Sequence, residues 1–399
     1  MKQLKTNLAK IFVLVVAINT CIHSFAQSKD GVNAIDPSPF ADAAHHWYDI
    51  YEKTNVIFAK PNQPRYRNTQ LKEIGDNILL YQKNNGGWPK NYDIFAVLTP
   101  EQEDSLIQSK SVLNTTFDNG TTYTHVAALA QIFSVTNDDR YKQAALKGID
   151  FILSAQYANG GWPQYYPLEK NYSSHITYND GAMIGILQLL KDIADGKSQF
   201  AFVDKSRLEK IKKAYQKGLD CTVRLQIKDG DKPTAWCQQY DEVSLQPAWA
   251  RKFEPPCICN GESSEIVLFL MSIQNPDQKI IDAVQYTVQW FDESRILNTR
   301  TKTIPAPPLK TPYLVSTTDR VVVNDPDAPA IRTRYYELKT HRPMFCNRDS
   351  GLVYSLAEVE RERRVGYAWY TYGPQKVLDQ YPAWQKKYAP GNNKNILQR

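Results

Sequence analysis

Three short turns carry the side chains best suited to chemistry. They read TFDNGTTYTH (116–125), TYNDGAMIG (177–185) and CNGESSE (259–265), and each sets Asp, Asn or Glu beside Gly at the head of an apolar run. Singly, each is explained by helix capping, since Asp and Asn are favoured N-caps and Gly allows a tight turn. Together they allow more. Two carboxylates such as Asp118 and Asp180, brought to one place, either share a proton or hold a hard divalent cation. The amide oxygens of Asn119 and Asn179 beside them favour calcium, and no His–Cys set for a soft metal accompanies them. The basic residues add a second strand of argument. Arg251 lies in QPAWARKFEPP (246–256), a loop stiffened by prolines and aromatics, and Arg320 and Arg334 stand 14 residues apart near the C-terminus. A guanidinium matches a carboxylate with two parallel hydrogen bonds. Calcium with several arginines therefore suits a carboxylated polyanion, although any one arginine is equally explained as a structural ion pair or a solvated charge.

The elements that must position these residues repeat. NNGGWPKNYD (84–93), NGGWPQYYP (159–167) and KPTAWCQQYD (232–241) place tryptophans at 88, 162 and 236, equally spaced by 74 residues. A helix-like pattern, with apolar residues at three- and four-residue spacing, leads into each loop: 71–82, 141–157 and 207–227. A polar turn and a second such pattern follow each loop: 124–135, 181–194 and 263–273. Helical hairpins that cannot bury their apolar faces alone must stack. The expected fold is all-α, an irregular α/α toroid of about three helical-hairpin repeats over about 71–296, with all the polar turns at one rim. The tryptophans serve as sugar-stacking platforms or as core wedges. Trp162 is taken as a candidate for the first role.

Beyond Arg295 the character changes. IPAPPLKTP (304–312) is expected to cross the surface, RVVVND (320–325), RTRYYEL (332–338) and GLVYS (351–355) read as short strands, LAEVERERR (356–364) as helical and GYAWYTY (366–372) as an aromatic tail. Too small for its own core, this part (about 297–390) is expected to pack on the toroid and add side chains to the groove.

At the other end, Lys2, Lys5 and Lys10 precede the apolar run IFVLVVAI, and Ser24-Phe25-Ala26 reads as a cleavage site. This is a secretory signal over 1–26 rather than a membrane span, and INTC around Cys21 is a poor lipobox. The chain is expected to be exported, to a periplasm or beyond the cell, as a single catalytic domain over 27–399. No later run is apolar enough to insert in a membrane. Removing the leader takes three lysines and leaves 45 basic residues against 42 acidic ones, a net charge of +3. That is too mild for a nucleic-acid partner. Five cysteines remain, Cys221, Cys237, Cys257, Cys259 and Cys346; export permits one bridge near the third repeat, and no pairing is assigned.

The set NNGGWPKNYD, TTFDNGTTYTHV, NGGWPQYYP, ITYNDGAM, QPAWARKFEPP, RDSGLVYS and RRVGYAWY, in that order from about Lys72 to Trp384, resembles the family 10 pectate lyases. The resemblance implies a helical toroid that cleaves polygalacturonate (pectin) by calcium-dependent β-elimination. It implies calcium at Asp118 and Asp180, Arg251 as the catalytic base, and substrate binding at Arg320 and Arg334, with Asn119 beside them. Before Arg334 this chain reads Ile331-Arg332-Thr333, where the family pattern has tryptophan and alanine. A monomer is expected. Two other readings stand beside the lyase: a glycoside hydrolase using Asp118 and Asp180 as acid and base, and a non-catalytic sugar-binding protein.

Overall fold

The structure, a computed structural model, describes residues 33–50, 52, 55–312 and 314–390. The leader assigned to residues 1–26 lies outside the described residues. Eleven α-helices are described: α1 (Ala41–Asp49), α2 (Leu71–Tyr81), α3 (Pro100–Gln108), α4 (Tyr123–Thr136), α5 (Asp139–Ser154), α6 (Ala182–Ala194), α7 (Lys205–Arg224), α8 (Asn260–Met271), α9 (Gln278–Glu293), α10 (Arg361–Gly366) and α11 (Gly373–Tyr388). The chain is mostly helical, as expected. The six helices expected from periodicity are α2, α5, α7 and α4, α6, α8, each within about three residues of its sequence bounds.

They stack in two rows. The helices that precede the tryptophan loops, α2, α5 and α7, continue into α9; those that follow the polar turns, α4, α6 and α8, continue into α11. Between the rows α4 packs on α5, α6 on α7 and α8 on α9. The interior of α4 and α6 is apolar on nearly every side, which fits a row covered on both flanks.

The tryptophan loop turns out to be the joint of this stack. Trp88 Nε1 donates to Ile78 O at 2.8 Å, Trp162 Nε1 to Ile152 O at 2.9 Å, and Trp236 Nε1 to Thr222 O at 2.7 Å. A glutamine repeats with them: Gln82, Gln156 and Gln226 each donate to a carbonyl in their own loop and to one in the next repeat's helix (Ala144, Ala214, Ala283). The loop can lie this close because Gly86 and Gly160 take φ of 92° and 99°, where a Cβ would meet the carbonyls of Lys147 and Lys217. All three indoles are buried. The candidate role of Trp162 in substrate binding is therefore corrected: its ring is 1% exposed and already packed against Gly218, so no sugar reaches it.

The strands are short: β1 (Ile176–Thr177), β2 (Lys228–Asp229), β3 (Lys232–Pro233), β4 (Gln239–Tyr240), β5 (Ile258–Cys259), β6 (Thr299–Lys310), β7 (Val315–Asn324), β8 (Arg332–Thr333), β9 (Tyr335–Tyr336), β10 (Pro343–Cys346), β11 (Leu352–Val353) and β12 (Tyr370–Thr371). The C-terminal ones pair in the order β11-β10-β9-β5, so they extend the strand that leads into α8. Their own small core gathers Cys257, Tyr335, Phe345, Cys346 and Trp369. Two details differ from expectation. The proline-rich segment does run over the surface, but as half of a long hairpin, β6–β7, whose prolines sit on a two-stranded ribbon. The aromatic tail is followed by α11, whose start is Gly373-Pro374 and which carries Pro382 inside; those residues hide its helical pattern. The five cysteines are free thiols and no bridge forms near the third repeat.

Candidate active site

The three polar turns meet. The 118–120 turn lies against the 179–181 turn, which lies against the start of α8. Two of them share a backbone form: Asn119 and Asp180 both sit in the left-handed region, at φ of 49° and 51°. Aligned on that feature, Asp118 matches Asn179 and Asn119 matches Asp180. The two aspartates thus project from successive positions of equivalent turns, which gives them different surroundings.

Asp118 is buried, and Lys90 Nζ donates to its Oδ2 at 2.6 Å. Burial works against the charge on Asp118, but Lys90 outweighs it and holds the carboxyl below the usual range. Asp180 keeps an exposed surface, although protein crowds most of its surroundings. Loss of hydration there, then the Asp118 charge, push it up to about 7, while Arg334 and Arg251 pull it down. Glu265, on the first turns of α8, is pushed up to about 8 by burial and then by Glu262 and Asp180. One more proton or cation at this rim would relieve all of these groups.

The arginines face the same acids. Arg251 donates through Nε to Glu254 Oε2 at 2.9 Å and through Nη2 to Glu254 Oε1 at 2.6 Å. Glu254 is 1% exposed whereas the Arg251 side chain is half-exposed, so a buried carboxylate holds a guanidinium at the groove surface. Burial opposes the Arg251 charge, but Glu254 outweighs it and raises its pKa further. Arg334 lies between β8 and β9, where the strand register sets Tyr335 against Cys259 and brings Arg334 to Glu262, 2.6 Å away. The residues before it serve a structural purpose: Arg332 is buried and donates twice to Phe291 O, at 3.1 and 2.8 Å. Arg320 lies on β7. It donates to Tyr367 O at 2.9 Å, and the Tyr367 hydroxyl in turn reaches Glu254 at 3.3 Å. Asn119 donates to Asn91 Oδ1 at 2.8 Å.

The rim carries oxygens of the type that hard cations use. Asp118 Oδ1, Asn179 Oδ1 and Gln164 Oε1 are buried oxygens without a hydrogen-bond partner. Oxygen donors beside two carboxylates are the set calcium prefers. Sequence reasoning missed Lys90, Glu254, Glu262 and Tyr367, although Lys90 follows the first GGWP and Glu254 lies three residues after Arg251. It also missed two exposed aromatics. Tyr172 lies within the fields of Arg251, Lys90 and Asp118, and Trp249 lies two residues before Arg251.

A mostly helical body whose polar turns gather acids and arginines at one rim suits a protein that handles a charged polymer. The sequence comparison goes further: the chain belongs to the pectic acid lyase family, which it matches over residues 82–378. It is similar to the structure of a family 10 polysaccharide lyase from Cellvibrio cellulosa (28% identity, 79% of this chain and 93% of that chain, TM-score 0.66). It is likewise similar to a mutant family 10 lyase from that organism in complex with trigalacturonic acid (27% identity, 80% and 93%, TM-score 0.65). No match is found among curated proteins. The chain is therefore a polysaccharide lyase of the pectate lyase type, and the hydrolase and sugar-binding readings are set aside. Among the described residues no helix is long and apolar enough to cross a membrane.

Proposed function

We propose that this enzyme cleaves polygalacturonate by calcium-assisted β-elimination, with Arg251 removing the C5 proton and 4,5-unsaturated oligogalacturonides as products. The observation that carries the reading is Asp180, exposed and yet within the fields of Asp118, Arg334 and Arg251 at once. Asp118 and Asp180, with the orphaned oxygens of Asn179 and Gln164, would hold Ca2+. When bound, the ion neutralises the substrate carboxylate and so stabilises charge developing at C5. Arg334 and Arg320, with Asn119, take up further substrate carboxylates and hydroxyls, and Tyr172 and Trp249 offer their rings to the sugars.

Arg251 is the difficult part. Guanidinium is a very weak acid, and the bidentate pair with Glu254 keeps it charged in the free enzyme. That pair fixes Nε and Nη2 and leaves Nη1 clear of Glu254. Cations gathered at the rim, Lys90 and Arg334 included, press the other way. The reading therefore carries an alkaline optimum, in which the neutral form of Arg251 is drawn on at each turnover. The helical stack is read as an irregular toroid, its groove at the rim of the three turns. The leader over 1–26 directs export of a monomeric single catalytic domain over 27–399.

Ultraviolet absorbance during incubation with polygalacturonate tests the reading. A C4–C5 double bond absorbs where the substrate does not. We expect a rise that needs calcium, stops with chelator, and falls by at least ~100-fold in Arg251→Ala, the usual worth of a positioned proton-transfer group. Full activity in chelator, or an unchanged rate in Arg251→Ala, refutes it.

A further inference from the structure

A second cluster of metal-ligating side chains lies at one end of the β1–β4 ladder, apart from the acids described above. His175 precedes β1, and Asp241 and Glu242 follow β4. The two strands pair antiparallel with Ile176 opposite Tyr240, which brings His175 beside Asp241 at the end of the ladder. One ligand atom from each of His175, Asp241 and Glu242 lies within 4.8 Å of the others, and no other such group of three occurs among the described residues.

We propose that His175, Asp241 and Glu242 bind a divalent transition-metal ion of the zinc type, at a site distinct from that of Asp118 and Asp180. The hydrogen bonding leaves one atom of each residue for it. Asp241 Oδ1 accepts from the Val243 and Ser244 amides at 3.1 and 2.6 Å, which leaves Oδ2. Glu242 Oε1 accepts from Ser174 Oγ at 3.4 Å, while its Oε2 is buried without a partner. His175 Nδ1 is likewise buried without a partner. A nitrogen and a carboxylate oxygen shielded from water and unsatisfied, in a group whose ligand atoms gather within 4.8 Å, are what a bound cation would complete.

The donor set selects the ion. Calcium takes oxygen ligands, whereas imidazole suits zinc and its neighbours, and two carboxylates balance a double charge. Tetrahedral bonds of about 2.1 Å set ligand atoms about 3.4 Å apart. The three side chains then close by roughly 1.4 Å from their widest separation, within reach of side-chain rotation. Water completes the coordination. The ladder so clipped runs straight into the Asp180 turn, because β1 ends at Thr177 and Tyr178 N donates to Gln238 O at 2.9 Å. The ion would stiffen that side of the rim.

The test uses the purified full chain, stripped with chelator and dialysed against Zn2+, with Ca2+ as the control. One zinc per chain should be retained in metal analysis, and the unfolding temperature should rise by a few degrees with zinc. His175→Ala and Glu242→Gln should each weaken zinc binding by at least ~10-fold. Asp180→Asn should leave it unchanged. Glu242→Gln keeps shape and size, so it answers even if His175→Ala folds poorly. Failure of the wild-type chain to hold zinc overturns the proposal. So does retention undiminished in both site variants, or zinc lost in Asp180→Asn but kept in the other two, which would put the ion at the rim.

Discussion

At the scale of single residues, the two aspartates of equivalent turns differ because only one has a lysine. Lys90 neutralises the buried Asp118, while Asp180 meets the resulting negative neighbourhood with arginines at longer range. Lys90→Met should leave an uncompensated buried carboxylate and cost about 2–4 kcal/mol, measured by urea unfolding in chelator. Added calcium should restore part of that loss. A mutant as stable as the parent would show that Asp118 is satisfied by other means. His125 offers a pH prediction of settled sign. It caps α4 by accepting the Thr122 N–H at Nδ1, stacks on Trp88 at 5.4 Å, and burial holds its pKa down to about 3. The unfolded chain takes up this proton near pH 6.5 and the folded chain does not. The stabilisation is thus whole above pH 6.5 and is lost as pH falls towards 3, by about 1.4 kcal/mol per unit. Urea midpoints of wild type and His125→Gln across this range should converge as the pH falls. Parallel curves would refute the assignment.

At the scale of elements, the tryptophan loop joins successive helical pairs and its conserved geometry is structural. A Cβ on Gly218 would lie 2.8 Å from the Trp162 ring and 2.6 Å from Leu187. Gly218→Ala should therefore cost about 1–3 kcal/mol through overpacking. Trp162→Phe, which empties part of the wedge and loses the bond to Ile152 O, should cost a similar amount. Both should leave KM for polygalacturonate near that of the parent. A tenfold rise in KM with unchanged stability in Trp162→Phe would return the indole to the groove. Tyr172→Ala should do the reverse, raising KM about fivefold or more with little change in unfolding temperature.

At the scale of the whole molecule, the C-terminal strands complete the site rather than decorate the body. They extend β5, supply Arg334 to Glu262 and bury Trp369 and Tyr335 beneath it. On the proposed reading, the cations at the rim act on a polyanion over a distance set by salt. Between 0.05 and 0.5 M NaCl, KM should rise several-fold while kcat changes little, since screening weakens capture more than contact chemistry. Arg320→Ala, on β7, should flatten that dependence. A salt-independent KM would mean that the arginines act in structure alone.

Much of this was legible in the chain. Helical periodicity needs only neighbouring residues, so six helices were bounded closely from it. The turns that carry Asp118 and Asp180 were visible as Gly-Asx runs, and Arg251 as an arginine in a stiff loop. What the sequence does not contain is the direction of a side chain after packing. A tryptophan reads the same whether it meets a sugar or a glycine of the next helix, and burial at 1% decided for Trp162. The partners Lys90, Glu254 and Glu262 come from elements 28, 3 and 72 residues away from Asp118, Arg251 and Arg334, and only the tertiary structure brings the distant ones to their charges. Local order was written locally; the electrostatics of the rim were settled by which turns the stack brought together.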